Sequence, residues 1–249
     1  MKRKSLLVLI IFLLIKNFVV AQDKDTVKQS PFNVSLDLVS RYVWRGMDIG
    51  DSPSIQPGFS YTYKNFSIGT WGAFALNFAG AQEVDLFASY TIKNVVTIAV
   101  TDYFFPSETI TYQYFDYSQT TTGHIFELSA SFNGTKKIPL TFLLGTNVYG
   151  ADAVRLDSDS TVTGIQYSTY AEFGYSYSIV NAFIGFNLTT PDKSMNETGF
   201  YGDSFGVINI GLKVTKEVRI SKSYSVPIYV SLISNPQRQK IYLVAGISF

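Results

Sequence analysis

The chain of 249 residues carries 20 Lys or Arg against 19 Asp or Glu, with one His, no Cys, 20 Phe and 17 Tyr. Balanced charge, with no basic cluster interleaved with aromatics, excludes a nucleic-acid partner, and the missing thiols exclude disulfides and a lipid-modified cysteine. One His without Cys leaves no ordinary zinc ligand set, so neither a metal nor another cofactor is expected.

Residues 1–21 read as a cleaved secretory signal: Lys2, Arg3 and Lys4 precede an apolar stretch from Leu6 to Ile15, and Val19, Val20 and Ala21 lead out to Gln22. That stretch is far short of the ~20 residues a spanning helix needs, and no later segment offers an uncharged apolar run of that length. If the exported chain enters a membrane, it does so with strands. Residues 22–32 form a polar lead, and residues 33–249 form one all-β domain.

Within that domain, period-two alternation between turn residues predicts twelve strands, over residues 33–46, 54–63, 66–75, 82–92, 95–105, 124–132, 139–149, 164–177, 180–187, 205–214, 225–234 and 239–249. Three outward apolar sets are the cleanest: Val34, Leu36, Leu38, Tyr42 and Trp44; Val84, Leu86, Ala88, Tyr90 and Ile92; and Ile165, Tyr167, Ala171, Phe173 and Tyr175. Polar residues alternate against each of these sets. Connections after even strands are tight, as at Lys64-Asn65, Lys93-Asn94 and Ser178-Ile179. Those after odd strands are long and polar. Residues 215–224 break this rule as an unusually long connection on the tight side.

The asymmetry predicts a transmembrane, antiparallel, up-and-down barrel of twelve strands with short periplasmic turns and long outer loops. The last strand ends on Phe249, the aromatic end that barrel assembly machinery reads in outer-membrane proteins. Periodicity alone leaves a soluble β-sandwich open as a rival. The signal, the terminal Phe and the loop asymmetry together favour the barrel.

The run Ser40-Arg41-Tyr42-Val43-Trp44-Arg45-Gly46, then Pro53, Ile55, Gln56, Gly58 and Tyr61, then Gly69, Trp71 and Gly72, resembles the opening of the TorF-like family of outer-membrane porins of Gram-negative bacteria. Tyr103-Phe104-Phe105-Pro106 is similar to that family's aromatic-Pro exit from the fifth strand. The chain departs from the family at Met47 to Gly50 and after Pro106, both in predicted loops. The resemblance implies an outer-membrane barrel without catalytic residues.

Function is therefore expected to reside in the lumen. Asp37, Arg41, Arg45, Glu83, Asp85, Glu127 and Glu172 fall on the inward register and are the expected pore-lining charges, the two arginines opposed by the acids to make a transverse field. The loop over residues 106–123 is the expected constriction. His124 lacks a G-x-S-x-G motif or an adjacent acidic partner, so catalysis is not expected. Asp152, Asp157 and Asp159 share one outer loop without EF-hand spacing and read as solvated.

The expected activity is passive diffusion of small hydrophilic solutes or ions, with outer-membrane lipid and the assembly machinery as the other partners. The alternatives are a non-conducting barrel serving adhesion or envelope structure and, behind it, a barrel lipase or protease.

Overall fold

The computed structural model describes residues 30–77, 82–106 and 113–249. The signal and nearly all of the polar lead lie outside them. Twelve strands close into one antiparallel barrel: β1 (Phe32–Val39), β2 (Ser54–Tyr63), β3 (Phe66–Ala75), β4 (Gln82–Ile92), β5 (Val96–Phe104), β6 (His124–Phe132), β7 (Leu140–Gly150), β8 (Thr169–Tyr177), β9 (Val180–Asn187), β10 (Gly206–Arg219), β11 (Ser225–Asn235) and β12 (Lys240–Ser248). Each strand pairs with the next in sequence. The ring closes where β12 meets β1 through Asp37↔Ser248, Leu38↔Ile247 and Val39↔Gly246. Leu36 and Phe249 extend this seam by exchanging both backbone hydrogen bonds, at 3.3 and 2.9 Å. Closure leaves no unpaired edge, the one sheet geometry that lipid tolerates.

The outer wall is apolar. Leu243 stands 69% exposed and Phe173 53%, with Leu86, Leu128, Leu212 and Leu232 in the same state, a surface that water disfavours and a bilayer covers. Exposed rings of Phe32, Tyr63, Phe66, Tyr90, Tyr175, Tyr177 and Phe249 gather at the end where the tight turns lie. They form the aromatic girdle of a membrane interface. The tight turns reverse the chain with residues in left-handed backbone, among them Lys64, Lys93, Asn94 and Ser178.

Three elements differ from expectation. The first strand ends at Val39 instead of residue 46, because residues 40–53 turn back into the barrel as a small hairpin, Val43–Trp44 against Met47–Asp48. The predicted strand over residues 164–177 is split. Residues Val162–Ile165 pair with Val154–Leu156 outside the barrel, Tyr167 takes a left-handed φ of 53°, and β8 begins only at Thr169.

The expected long connection at residues 215–224 is mostly strand. Alternation continues through Lys216, Val218 and Arg219 in register with β11, so the turn spans only residues 220–224 and the asymmetry of connections is kept. Among the described residues no helix is long and apolar enough to cross a membrane.

Candidate functional site

The chemistry concentrates in the lumen at the long-loop end, where residues 40–53 fill the mouth. At the tip of the small hairpin, Arg45 and Gly46 both have positive φ, 50° and 78°, the backbone hand of a tight two-residue turn. Gly46 is pressed so closely on the Ile208 carbonyl that no Cβ fits, and its own carbonyl accepts a 3.1 Å hydrogen bond from Asn235 Nδ2. Ile208 reaches this point through a bulge: Phe186 pairs with Val207 and Gly185 with Asn209, so Ile208 is the extra residue and turns into the barrel. Met47, Tyr170, Tyr201 and Ile208 make a buried apolar core inside the lumen, with Trp44, Ile49, Leu143 and Phe200 around it.

Arg45 is the hub. Its guanidinium grips the Glu127 carboxylate in fork geometry, with Nη2 donating to Oε1 at 2.9 Å and Nη1 paired with Oε2, and Nη1 also donates to the Tyr201 hydroxyl at 2.5 Å. Its carbon lies 4.7 Å from the Trp44 and Tyr170 ring centres and 5.3 Å from that of Tyr201. A planar cation with a bidentate carboxylate and three aromatic faces is held by charge, hydrogen bonds and stacking at once. Glu127 takes further bonds from the Tyr103 and Tyr201 hydroxyls, both at 3.3 Å.

Beside this hub, Glu172 accepts from Tyr170 at 2.5 Å and from Asn209 at 3.0 Å. The Tyr170 ring lies directly over Gly185, where any Cβ would collide with it.

The other residues singled out in the sequence are distributed differently. Glu83 and Asp85 face inward from β4 and are buried. Asp37 is also on the inner face, toward the tight-turn end, where Lys213 stacks over Tyr229 at 3.7 Å. Arg41 is not on a strand. It pairs with Asp48 and, at 2.8 Å, with Asp51, all in its own loop.

Tyr42 and Trp44, expected to face lipid, turn into the lumen against Trp71 at 5.5 Å and Tyr103 at 5.4 Å. The reversal at Arg45-Gly46 inverts the faces that continued alternation would assign. Tyr201, Tyr170, Asn209 and Asn235 carry no motif. The one signal in sequence was Gly46, a turn-favouring residue at the end of a supposed strand of fourteen.

Two neighbouring loops cover the plug. Arg155 pairs with Glu197 at 2.7 Å and donates to the Thr190 carbonyl at 3.1 Å, and Gln166 donates to the carbonyls of Val154 and Thr198. The backbone N–H groups of Asp192 and Leu156, with Arg155, hold the Glu197 carboxyl below its ordinary range. Asp152 serves the same framework, accepting from Asn147 and from the Ser168 N–H, both at 2.9 Å. Asp157 accepts the Asp159 and Thr161 N–H groups, also at 2.9 Å.

The loop before β6 is not a constriction in its described part. Asp102, which is opposite Leu86 in the register, and His124, opposite Phe104, both face the outer side of the wall, and residues 113–123 fold over them there. His124 is fully buried, with Nδ1 at 2.8 Å from Asp102 Oδ1, Nε2 at 2.6 Å from the Tyr114 carbonyl, and Tyr117 stacked on it at 4.5 Å. Each ring nitrogen faces an acceptor, so neither is free to serve as a general base.

Replacing His124 by Leu should strip both contacts, cost this loop about 1–3 kcal/mol, and expose residues 113–123 to protease while the barrel stays folded. Limited proteolysis of the purified protein, with intact heat-modifiable migration as the control, checks this.

A closed antiparallel barrel with an apolar exterior, an aromatic girdle and a charged interior defines a transmembrane β-barrel protein. Residues 25–188 match the family described as bacterial protein of unknown function (Gcw_chp), and the chain belongs to that family. No curated protein matches it.

Among solved structures, the chain is similar to the KdgM porin, with 11% identity, 86% of this chain and 98% of that one covered, and a TM-score of 0.45. It is also similar to the NanC porin, with 8% identity, 87% and 98% covered, and 0.45. Likeness to OprD from Pseudomonas aeruginosa spans 90% of this chain and 65% of that one, at 11% identity and a TM-score of 0.30.

Proposed function

We propose that this protein is a gated porin-like channel of a Gram-negative outer membrane, passing small hydrophilic solutes or ions, with residues 40–53 as the gate. The observation that carries the reading is the contrast between the two halves of the lumen. Toward the tight turns the inner face mixes small polar side chains, among them Ser35, Ser60, Ser89, Thr97, Ser129 and Ser176, with the rings of Phe87, Phe183 and Tyr229 lying over Gly69, Gly211 and Gly246, inside a twelve-stranded ring wider than the eight-stranded one that side chains just fill. Toward the long loops the bore is filled by the hairpin of residues 40–53, with Phe200 and Tyr201 of the loop before β10 packed on it, and its main polar tie to the wall is Arg45 to Glu127. A plug built from loop residues, none of them in the barrel ladder, can leave without unfolding the barrel.

Glu83, Asp85, Glu127 and Glu172 against Arg45 make the passage acidic, which favours cations. The resemblance to TorF-like porins fits this reading, which includes a cleaved signal over residues 1–21, a polar lead at 22–32, surrounding outer-membrane lipid, and insertion by the barrel assembly machinery. Enzymatic chemistry is not part of it.

A second reading has a specific observation in its favour. The filled mouth equally suits a non-conducting barrel that acts in adhesion or envelope structure through its loops. Planar-bilayer recording separates the two. The channel reading expects intermittent openings, cation-selective across a salt gradient, with selectivity that weakens as salt rises above about 0.15 M. A protein that is silent at every voltage, and stays silent when the plug is released by mutation, is a structural barrel.

A further inference from the structure

The lumen holds a charge deficit that the plug leaves uncompensated. Glu83 and Asp85 project inward from β4 two residues apart, about 7 Å along the strand. They are 1% and 5% exposed, and both oxygens of Glu83 and Oδ1 of Asp85 lack a hydrogen bond of ordinary geometry, the Tyr42 hydroxyl being the polar group that lies against Glu83. Neighbouring cations are committed elsewhere: Arg45 to Glu127, and Arg41 to Asp48 and Asp51. Among the described residues, no Lys, Arg or His forms an ion pair with either carboxylate.

The surroundings are mostly aromatic and aliphatic. Trp71 and Tyr103 flank Asp85 on the adjoining strands, Ala73 adjoins Glu83, and the Tyr42 ring packs on Trp71. Two carboxylates in such a setting carry a desolvation penalty that either protonation or a positive charge must offset. A proton shared between the two carboxyls, with the Tyr42 hydroxyl on Glu83, would serve the three oxygens but leave one negative charge in this setting. A cation lying between the two carboxylates can meet all three.

We infer that Glu83 and Asp85 bind a hard, oxygen-seeking cation of the calcium class between the barrel wall and the plug. The donor set is all oxygen, with the Tyr42 hydroxyl lying against Glu83 as a neutral addition, and no imidazole or sulfur faces it, which selects against zinc and copper. Because Tyr42 belongs to residues 40–53, a bound ion would tie the plug to β4 at a second point, away from Arg45. The inference stands whether or not the barrel conducts.

The test uses full-length protein in detergent micelles with terbium as the probe, excited through the aromatic side chains. Trp71 and Tyr103 flank Asp85 closely enough to sensitise a bound ion. The expected result is saturable terbium emission that calcium displaces. It should fall at least about tenfold in the Glu83→Gln/Asp85→Asn double variant, a loss equivalent to about 1.4 kcal/mol of binding.

Glu172→Gln should keep the emission, because Glu172 is already served by Tyr170 and Asn209. Both proteins should retain heat-modifiable migration, which the neutral isosteres favour by removing repulsion. Absence of emission in the wild type, or equal emission in the double variant, overturns the site and leaves a protonated carboxyl pair. Neither result depends on conductance, so failure here is distinguishable from failure of the channel reading.

Discussion

Replacing Arg45 by Leu should release the plug, at a cost to the closed mouth of about 3–5 kcal/mol, the penalty of breaking a buried pair and leaving one partner charged. The side chains of Arg45 and Glu127 are 8% and 2% exposed, so solvent screens neither. The substitution removes the fork, the contact to Tyr201 and three cation–π faces together, while Glu127 keeps only two long tyrosine hydrogen bonds. Barrel closure is untouched, since none of β1 to β12 depends on this side chain for its register.

The expected readouts are therefore protease cleavage within residues 40–53 and a raised open probability in bilayers, without loss of heat-modifiable migration. Changing Glu127 to Leu in the same chain should recover much of the stability, because the stranded carboxylate is gone, and the coupling in that double-mutant cycle should be large. An Arg45→Leu protein with unchanged protease resistance would show that the apolar core around Met47 and Ile208 holds the hairpin without the ion pair.

Arg at Leu86 or Phe173 should destabilise the folded barrel in lipid by about 2–4 kcal/mol, the cost of a cation at mid-membrane depth on the lipid face. Leu86 lies near the middle of β4 and Phe173 at the middle of β8, both outward and exposed. Phe173 also packs on Phe142 with ring centres 4.9 Å apart, so its replacement loses an aromatic contact as well. Arg in place of Ser89, on the inner face of β4 among small polar residues, should cost far less. Equilibrium unfolding in lipid vesicles compares the three variants, and similar losses on the two faces would contradict the assigned register.

The loop at residues 40–53 marks where reading the chain stops working. From Val34 to Leu38 the alternation is obeyed, and on β4 the outward set from Val84 to Ile92 and the inward Glu83, Asp85 and Ser89 stand in the register that their spacing implies. Tyr42 and Trp44 continue the same alternation and yet turn inward. Arg45 finds Glu127 at a separation of 82 positions and Tyr201 at 156, and no local period can encode partners that distant. His124 has the same history, since its carboxylate partner, Asp102, sits 22 positions back on a neighbouring strand.

By itself, then, the sequence determined the twelve strands apart from the ends of the first, eighth and tenth, their lipid and lumen faces within the barrel, and the even strand count, because these follow from period-two patterning and turn chemistry within a few residues. Tertiary structure alone decided that the first loop becomes a plug, that residues 113–123 before β6 wrap the outer wall instead of the bore, and that two of the luminal acids are left without an ion-pair partner. Those outcomes depend on which buried charge meets which counter-charge across the closed ring, a competition among distant side chains that is settled only when β12 reaches β1.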